Sequence, residues 1–255
     1  MSFSAGVSTT ALSATLYRAG TDQVTATSSS PQYLGRVTLQ VTPASPSQFG
    51  LQTPATATAG VSFSATVTAQ DPYGNTTPAY AGTVCLNFSG LDTAPDGTDT
   101  PQYPAQGSCA AGQSSVTFTN GTVTVGVVPV DEEMVPLSVT DGTISGTSST
   151  VVISGGTTAS LSLTVNGSTT STEVAAGTQV SASVIAYDQY DNVANADAST
   201  LTPNNSDGAA TYNPSTLTLS TGALSFQVTF NSSGMQTFSV SEGTIPSNTV
   251  DVQVD

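Results

Sequence analysis

A segment of 26 residues occurs twice in this chain and constrains its fold more than any other feature. Residues 59–84 read AGVSFSATVTAQDPYGNTTPAYAGTV, residues 176–201 read AGTQVSASVIAYDQYDNVANADASTL, and 12 of the 26 aligned pairs are identical. Every second residue from Val61 to Ala69 is apolar, which predicts a β-strand with one face in a core. A repeat at about a hundred residues, built on alternating strands, predicts a tandem array of small β domains.

The repeat divides the chain into three parts. Residues 44–155 and 156–255 are predicted to be two complete domains, and residues 1–43 the last strands of an incomplete one. The sequence Pro43-Ala-Ser-Pro46 between them fits a domain boundary, because proline cannot lie in a central strand. We call these parts the N-terminal segment, the middle unit and the C-terminal unit.

The N-terminal segment has the layout of the end of the C-terminal unit. Leu12, Ala14 and Leu16 alternate with polar residues and predict a strand before a turn, and Gly20 aligns with Gly234. Half a sandwich would expose an apolar face and open strand edges. Either the segment is a fragment of a longer array, or another chain supplies the missing strands.

The middle unit contains an insertion. Asp71 and Asp188 are 117 residues apart but Gly142 and Gly243 only 101, so the middle unit is 16 residues longer between these landmarks. We place the extra residues in 89–115, where the alternating pattern gives way to Asp, Pro and Gly.

Two cysteines, Cys85 and Cys109, are too few for a metal cage, and the chain has no His to complete one. A Cys85–Cys109 disulfide is the natural pairing. It would tie the enlarged loop to the sheet and implies an extracytoplasmic, oxidising location, outside the cell or at its surface.

The charge balance excludes several partners. The chain has 17 acidic residues against two Arg and no Lys, a net charge of −15, so it lacks the cationic surface that nucleic acid or an anionic membrane requires. No segment has about 18 uninterrupted apolar residues, and the N-terminus lacks the basic start and apolar run of a signal peptide.

Catalysis also lacks its usual components. Without His or Lys, neither a Ser-His-Asp arrangement nor a Ser-Lys dyad can be assembled, so we predict no enzyme activity. A carbohydrate cleft would usually be lined by aromatic residues, and the chain has no Trp.

The Ala-Gly start, the alternating strand and the Asp-x-x-Gly-Asn turn at 59–75 resemble the bacterial and archaeal Ig-like domains of the Big/invasin type. The resemblance covers essentially the whole chain. It implies an all-β fold of tandem immunoglobulin-like β-sandwich domains arranged end to end, as in the stalks of adhesins and S-layer proteins. The second copy departs from the pattern by having Asp191 in place of Gly74.

Acidic loops provide candidate calcium ligands, the only cofactor that we consider. Carboxylates on loops suit Ca²⁺, but an Asx-turn explains the first two pairs, and a solvated acidic loop explains the remaining three residues. The candidate ligands are Asp71 with Asn75, Asp188 with Asn192, and the set Asp92, Asp96 and Asp99.

Six Asn residues lie in N-glycosylation sequons. They are Asn75, Asn87, Asn120, Asn166, Asn204 and Asn231.

Three functions remain open. The first is a structural stalk segment of an extracellular surface protein. The second is a self-assembling subunit of a filament or surface layer, in which residues 1–43 join strands of another protomer. The third is a module that binds a glycan or a host receptor through residues 89–115.

Overall fold

The computed structural model describes residues 3–11, 13–29 and 31–255, and these contain strands and turns but no α-helix. Among the described residues, no helix is long and apolar enough to cross a membrane. The N-terminal segment contributes β1 (Phe3–Ser4), β2 (Val7–Ser8), β3 (Gly20–Ser29) and β4 (Gln32–Val41).

The middle unit is a sandwich of two sheets, with strand orders β10-β7-β5 and β6-β12-β11-β8-β9. Its strands are β5 (Gln48–Gln52), β6 (Thr56–Thr58), β7 (Phe63–Gln70), β8 (Gly82–Ser89), β9 (Ser114–Phe118), β10 (Thr122–Val127), β11 (Met134–Thr140) and β12 (Ser145–Ser154). Neighbouring strands are antiparallel except for β6, which pairs in parallel with β12.

The C-terminal unit repeats this plan, with sheets β13-β15-β19-β17 and β14-β22-β20-β16-β18. Its strands are β13 (Ser160–Val165), β14 (Ser171–Val174), β15 (Gln179–Tyr187), β16 (Thr200–Asn205), β17 (Thr211–Asn213), β18 (Leu217–Thr218), β19 (Ala223–Thr229), β20 (Gly234–Glu242), β21 (Ile245–Pro246) and β22 (Val250–Val254). Here β14 pairs in parallel with β22, as β6 does with β12. Both units are Ig-like sandwiches.

The alternating pattern of the repeat produces the cores. In β7, Phe63, Ala65, Val67 and Ala69 are buried and the residues between them are not, as the alternation predicts. Val61 differs from the prediction. It lies before the strand and is 58% exposed, because a turn in which its N–H bonds to Thr58 C=O precedes β7.

Each unit encloses its own hydrophobic cluster. One runs from Phe49 to Val139 and the other from Leu161 to Val254. Each sandwich therefore has a main core of its own. A third, small cluster of the middle unit, Ala59, Val151 and Ile153, is packed in part by Tyr190 of the C-terminal unit.

The N-terminal segment departs from the predicted layout in one respect. β3 and β4 form the expected hairpin, but residues 13–16 are not a strand, and Leu12 lies outside the described residues. The corresponding strand β19 is held by pairing with β15, and the described part of the segment contains no strand equivalent to β15. Alternation alone does not form a strand when the pairing partner is missing.

Candidate functional site: the junctions between units

The Asp–Asn loops, which we define as residues 71–75 and 188–192, follow the equivalent strands β7 and β15. In the first loop, Asp71 is 1% exposed, and its Oδ1 accepts hydrogen bonds from the N–H groups of Tyr73 and Asn75, each at 2.9 Å. Asp188 does the same in the second loop for Tyr190 and Asn192, at 2.8 and 3.0 Å. Both loops are therefore Asx-turns, the alternative to a calcium site that the sequence allowed.

The residue before each Asn has a positive φ, 81° for Gly74 and 64° for Asp191. Glycine adopts this conformation without strain, and Asp is one of the few other residues that tolerate it. The departure from the glycine pattern at Asp191 thus leaves the shape of the loop unchanged.

The first loop contacts the N-terminal segment through the side chain of Asn75. Its Nδ2 donates to Tyr17 C=O at 2.7 Å, and its Oδ1 accepts from Ala19 N–H at 2.8 Å. The second carboxylate oxygen of Asp71 accepts from Ala44 N–H at 3.0 Å, in the linker. One loop of the middle unit thus holds both the preceding hairpin and the chain that connects them.

The second loop makes the same contacts to the middle unit. The Nδ2 of Asn192 donates to Val130 C=O at 2.9 Å, and its Oδ1 accepts from Glu132 N–H at 2.8 Å. The Oδ2 of Asp188 accepts from Gly156 N–H at 2.7 Å, again in the linker. The two junctions therefore use the same atoms in the same roles.

The Asn carboxamide acts in each junction as a substitute for a peptide group. It donates to the C=O of one residue and accepts from the N–H two residues later, as a neighbouring strand does in an antiparallel pair. We call residues 17–19 and 130–132 the receiving segments. Toward the Asn carboxamide they contribute backbone atoms only, so this contact has no side-chain signal in the sequence of the receiving segments. Their side chains add one contact at each junction: Tyr17 packs on Tyr73, and Glu132 Oε1 accepts from Asn195 Nδ2 at 2.6 Å.

Hydrogen bonding stabilises the ionised carboxylate in the first loop. Burial raises the pKa of Asp71, but hydrogen bonds from Asn75, Ala44 and Tyr73 lower it more, so the net pKa lies below its usual value. With its oxygens engaged in this way, the carboxylate functions as a hydrogen-bond acceptor for the junction. Calcium binding at the two loops stays a prediction.

Tyrosines at the third position of each loop pack differently. The ring of Tyr73 lies 4.7 Å from that of Tyr17 between centroids, and both remain more than half exposed. Tyr190 packs against a small buried cluster of the middle unit that contains Ala59 and Ile153. The tyrosine of the second loop therefore packs on buried apolar side chains, whereas the tyrosine of the first pairs with another exposed ring.

The enlarged loop 89–115 also reaches the second junction. Asp96 N–H donates to Tyr190 C=O at 3.3 Å. The predicted Cys85–Cys109 disulfide is present and ties the far end of the loop to β8. The insertion thus lies beside the C-terminal unit.

The candidate ligands Asp92, Asp96 and Asp99 do not form one cluster in the structure. Asp92 lies with Asp131 and Glu133, with carboxylate oxygens within 4.8 Å of one another, whereas the carboxylate of Asp96 accepts from Asp99 N–H. Burial raises the pKa of Glu133, and the charges of Asp92 and Asp131 raise it further. Calcium binding by Asp92, Asp96 and Asp99 stays a prediction.

The sequon residues differ in the freedom of their side chains. Both N–H groups of Asn75 Nδ2 are used, toward Tyr17 C=O and toward Asp71 Oδ2 at 2.8 Å, so a glycan there would displace a junction hydrogen bond. The other sequon residues are exposed, and their glycosylation stays a prediction; they are Asn87, Asn120, Asn166, Asn204 and Asn231.

A scan of protein-family models finds no match to this sequence, and a search of curated proteins finds none either. Solved structures similar to the chain include FdeC, described as an Escherichia coli adhesin, at 16% identity and a TM-score of 0.44, over 87% of this chain and 68% of that one. Invasin, described as a bacterial integrin-binding protein, is 14% identical with a TM-score of 0.47, over 93% of this chain and 46% of that one. Domains 4 and 5 of the S-layer protein SbsC are 17% identical with a TM-score of 0.37, over 83% and 99%. At these identities the similarity concerns the fold alone.

Proposed function

We propose that this chain is a structural segment of an extracellular surface protein, a stalk of Ig-like units stacked end to end without catalytic activity. The observation that carries the proposal is the recurrence of one junction. Asn75 and Asn192 each hold a receiving segment through the same pair of backbone contacts. A contact repeated at every boundary suits a chain whose task is to hold units in a fixed relation.

The junction contacts restrict a motion that neighbouring domains otherwise have. Domains joined by a short linker move relative to one another unless their interface prevents it. Each hydrogen bond contributes only about 0.5–1.5 kcal/mol net, but an unpaired buried group costs more. Since Asn192 is 2% exposed, breaking the second junction would leave its amide groups either unpaired or newly hydrated. The loops therefore favour one orientation.

The chemistry of the whole chain supports the rest of the proposal. A disulfide suits an oxidising compartment outside the cytoplasm. The sequence contains no His and no Lys, so the usual pairs of nucleophile and base cannot be formed.

Small-angle X-ray scattering tests the proposal. We expect the unmodified chain to give a narrow distribution of interatomic distances with a defined maximum, and the Asn75→Ala/Asn192→Ala double variant to give a broader one. Asn87→Ala, an exposed change on β8, is the matched control. A distribution for the unmodified chain as broad as that of the double variant would contradict a stiff stalk.

One observation favours a second function, self-assembly through the N-terminal segment. The β3–β4 hairpin exposes large apolar side chains, including Tyr33 at 68%, Leu34 at 57% and Val37 at 51%. In the middle unit the equivalent hairpin β11–β12 is flanked by β8 and β6, whereas β3 and β4 pair only with each other among the described strands. Strands from a second copy of the chain would satisfy these edges.

Light scattering over a wide range of protein concentration tests self-assembly. We expect association that increases with concentration and is abolished by Val37→Asp. A monomer at every concentration would exclude this second function and leave the stalk proposal intact.

A further inference from the structure

The C-terminal unit contains a third copy of the receiving segment, at residues 231–233. Gly20 pairs with Val41 and Gly234 with Val254, so the two glycines begin equivalent strands. The receiving segment 17–19 immediately precedes Gly20. Residues 231–233 stand in the same position before Gly234.

The middle unit gives the same register independently. Gly60 N–H donates to Pro129 C=O, and its repeat equivalent Gly177 donates to Phe230 C=O. Val130 follows Pro129 and supplies the carbonyl that binds Asn192. By this register, Asn231 C=O corresponds to Val130 C=O, and the N–H of Ser233 corresponds to that of Glu132.

In the third copy, the two backbone groups that would bind an Asn side chain make no hydrogen bond to the described residues. Among the hydrogen bonds of the described residues, none involves Asn231 C=O or Ser233 N–H. Neither residue belongs to a strand, so no sheet ladder uses these groups. A C=O and an N–H two residues apart are thus left in the arrangement that the other two segments use to bind an Asn side chain.

A buried carboxylate holds this segment in shape. Asp207 is 3% exposed, and its Oδ2 accepts from Asn231 N–H at 2.6 Å and from Ser232 N–H at 3.0 Å. Its Oδ1 accepts from Ser232 Oγ at 2.8 Å. These bonds order the segment through contacts within its own unit, and such ordering reduces the entropy lost when a partner binds.

We infer that residues 231–233 are a docking site for the Asp-x-x-x-Asn loop of a further Ig-like unit, with the Asn side chain bonding to Asn231 C=O and Ser233 N–H. The inference rests on the proposed stalk function and identifies a partner for the C-terminal unit. The partner is defined by its chemistry: a buried Asp that shapes the loop, and an Asn carboxamide presented four residues later.

The test supplies such a unit from the chain itself. Residues 157–255, which enclose their own core, are appended after Asp255 through Gly-Gly. This linker reproduces Gly155–Gly156, which follow Ser154 in the natural chain. Ser154 and Asp255 are equivalent positions, because the C=O of Ser154 accepts from Ala59 N–H and the C=O of Asp255 accepts from Ala176 N–H. Amide hydrogen exchange is then measured at Ser233, with Glu132 in the same molecule as the positive control.

We expect exchange at Ser233 to be slower by at least about tenfold in the extended chain than in the original one, and Asn192→Ala in the appended copy alone to restore the faster rate. If Ser233 exchanges equally fast in both chains while Glu132 is protected, the docking site is refuted and the stalk proposal stands. If Glu132 is also unprotected, both fail.

Discussion

At the scale of single residues, the carboxamide of Asn192 uses both of its N–H donors and its oxygen, two bonds across the junction and one within its own loop. Oδ1 accepts from Glu132, and Nδ2 donates to Val130 C=O and to Asp188 Oδ2. An Asp side chain has the same shape but no donor, and it would add a second carboxylate beside Asp188. Asn is therefore the residue that this position requires.

We predict that Asn192→Ala lowers the free energy of unfolding by about 1–3 kcal/mol, because it leaves the C=O of buried Val130 and the N–H of Glu132 without their partner. Urea unfolding measures the change. Asn87→Ala, on an exposed face, should change the value by less than about 0.5 kcal/mol. Equal effects of the two substitutions would show that the contact does not contribute.

Acid should weaken the C-terminal unit through Asp207. Burial raises its pKa, but hydrogen bonds from Ser232, Ala209 and Asn231 lower it more, to about 2. A lowered pKa in the folded state gives stability that is complete above the unfolded value near 3.8 and is lost as the pH falls toward 2. We predict that Asp207→Asn loses less stability than the unmodified chain between pH 4 and pH 2. Parallel pH profiles for the two proteins would contradict this assignment.

At the scale of elements, the enlarged loop 89–115 is held by contacts to its own unit. The ring of Tyr103 stacks on that of Phe88 at 5.7 Å, and the Cys85–Cys109 disulfide closes a loop with a sequence separation of 24. The loop is thus packed onto its own sheet, and its near end touches Tyr190 of the next unit.

Removing the disulfide should destabilise the middle unit. Cross-linking residues at this separation restricts the unfolded chain and contributes about 3 kcal/mol in the chain-entropy model. We predict a loss of that order for Cys85→Ser/Cys109→Ser, measured by denaturant unfolding. Reductant should not change the stability of the double variant, whereas it should lower the stability of the unmodified chain. A reduced chain as stable as the oxidised one would contradict the prediction.

The two junction tyrosines should differ in their contributions. Tyr190 packs against Ala59, whereas Tyr73 is 59% exposed. We predict that Tyr190→Ala costs about 1–3 kcal/mol and Tyr73→Ala less than about 1 kcal/mol in thermal or urea unfolding. The opposite order would show that the first junction is the stronger one.

Much of each element could be predicted from its residues. The alternation in β7, the Asx-turns and the disulfide all have local signals. The expected strand at 12–16 had the same signal, but a strand also needs a partner, and the described part of the N-terminal segment provides none. The receiving segments could not be predicted, because they bind the Asn carboxamide through backbone atoms that every sequence contains.

At the scale of the whole molecule, the repeated junction links the positions of the units. Interfaces of this kind leave domains mobile by default, so a few specific hydrogen bonds at the hinge decide between a stiff and a flexible chain. The linkers are included in the same contacts, since Ala44 and Gly156 donate to Asp71 and Asp188. We therefore expect the orientation of one unit relative to the next to depend on the Asp–Asn loops.

Residual dipolar couplings of the backbone amides test this claim most directly. In the unmodified protein, couplings from the middle and C-terminal units should fit one alignment tensor, because the units tumble as one body. In Asn192→Ala each unit should keep its own internal couplings, but the two should need tensors of different magnitude and direction. Separate tensors in the unmodified protein, or a single shared tensor in Asn192→Ala, would contradict the account.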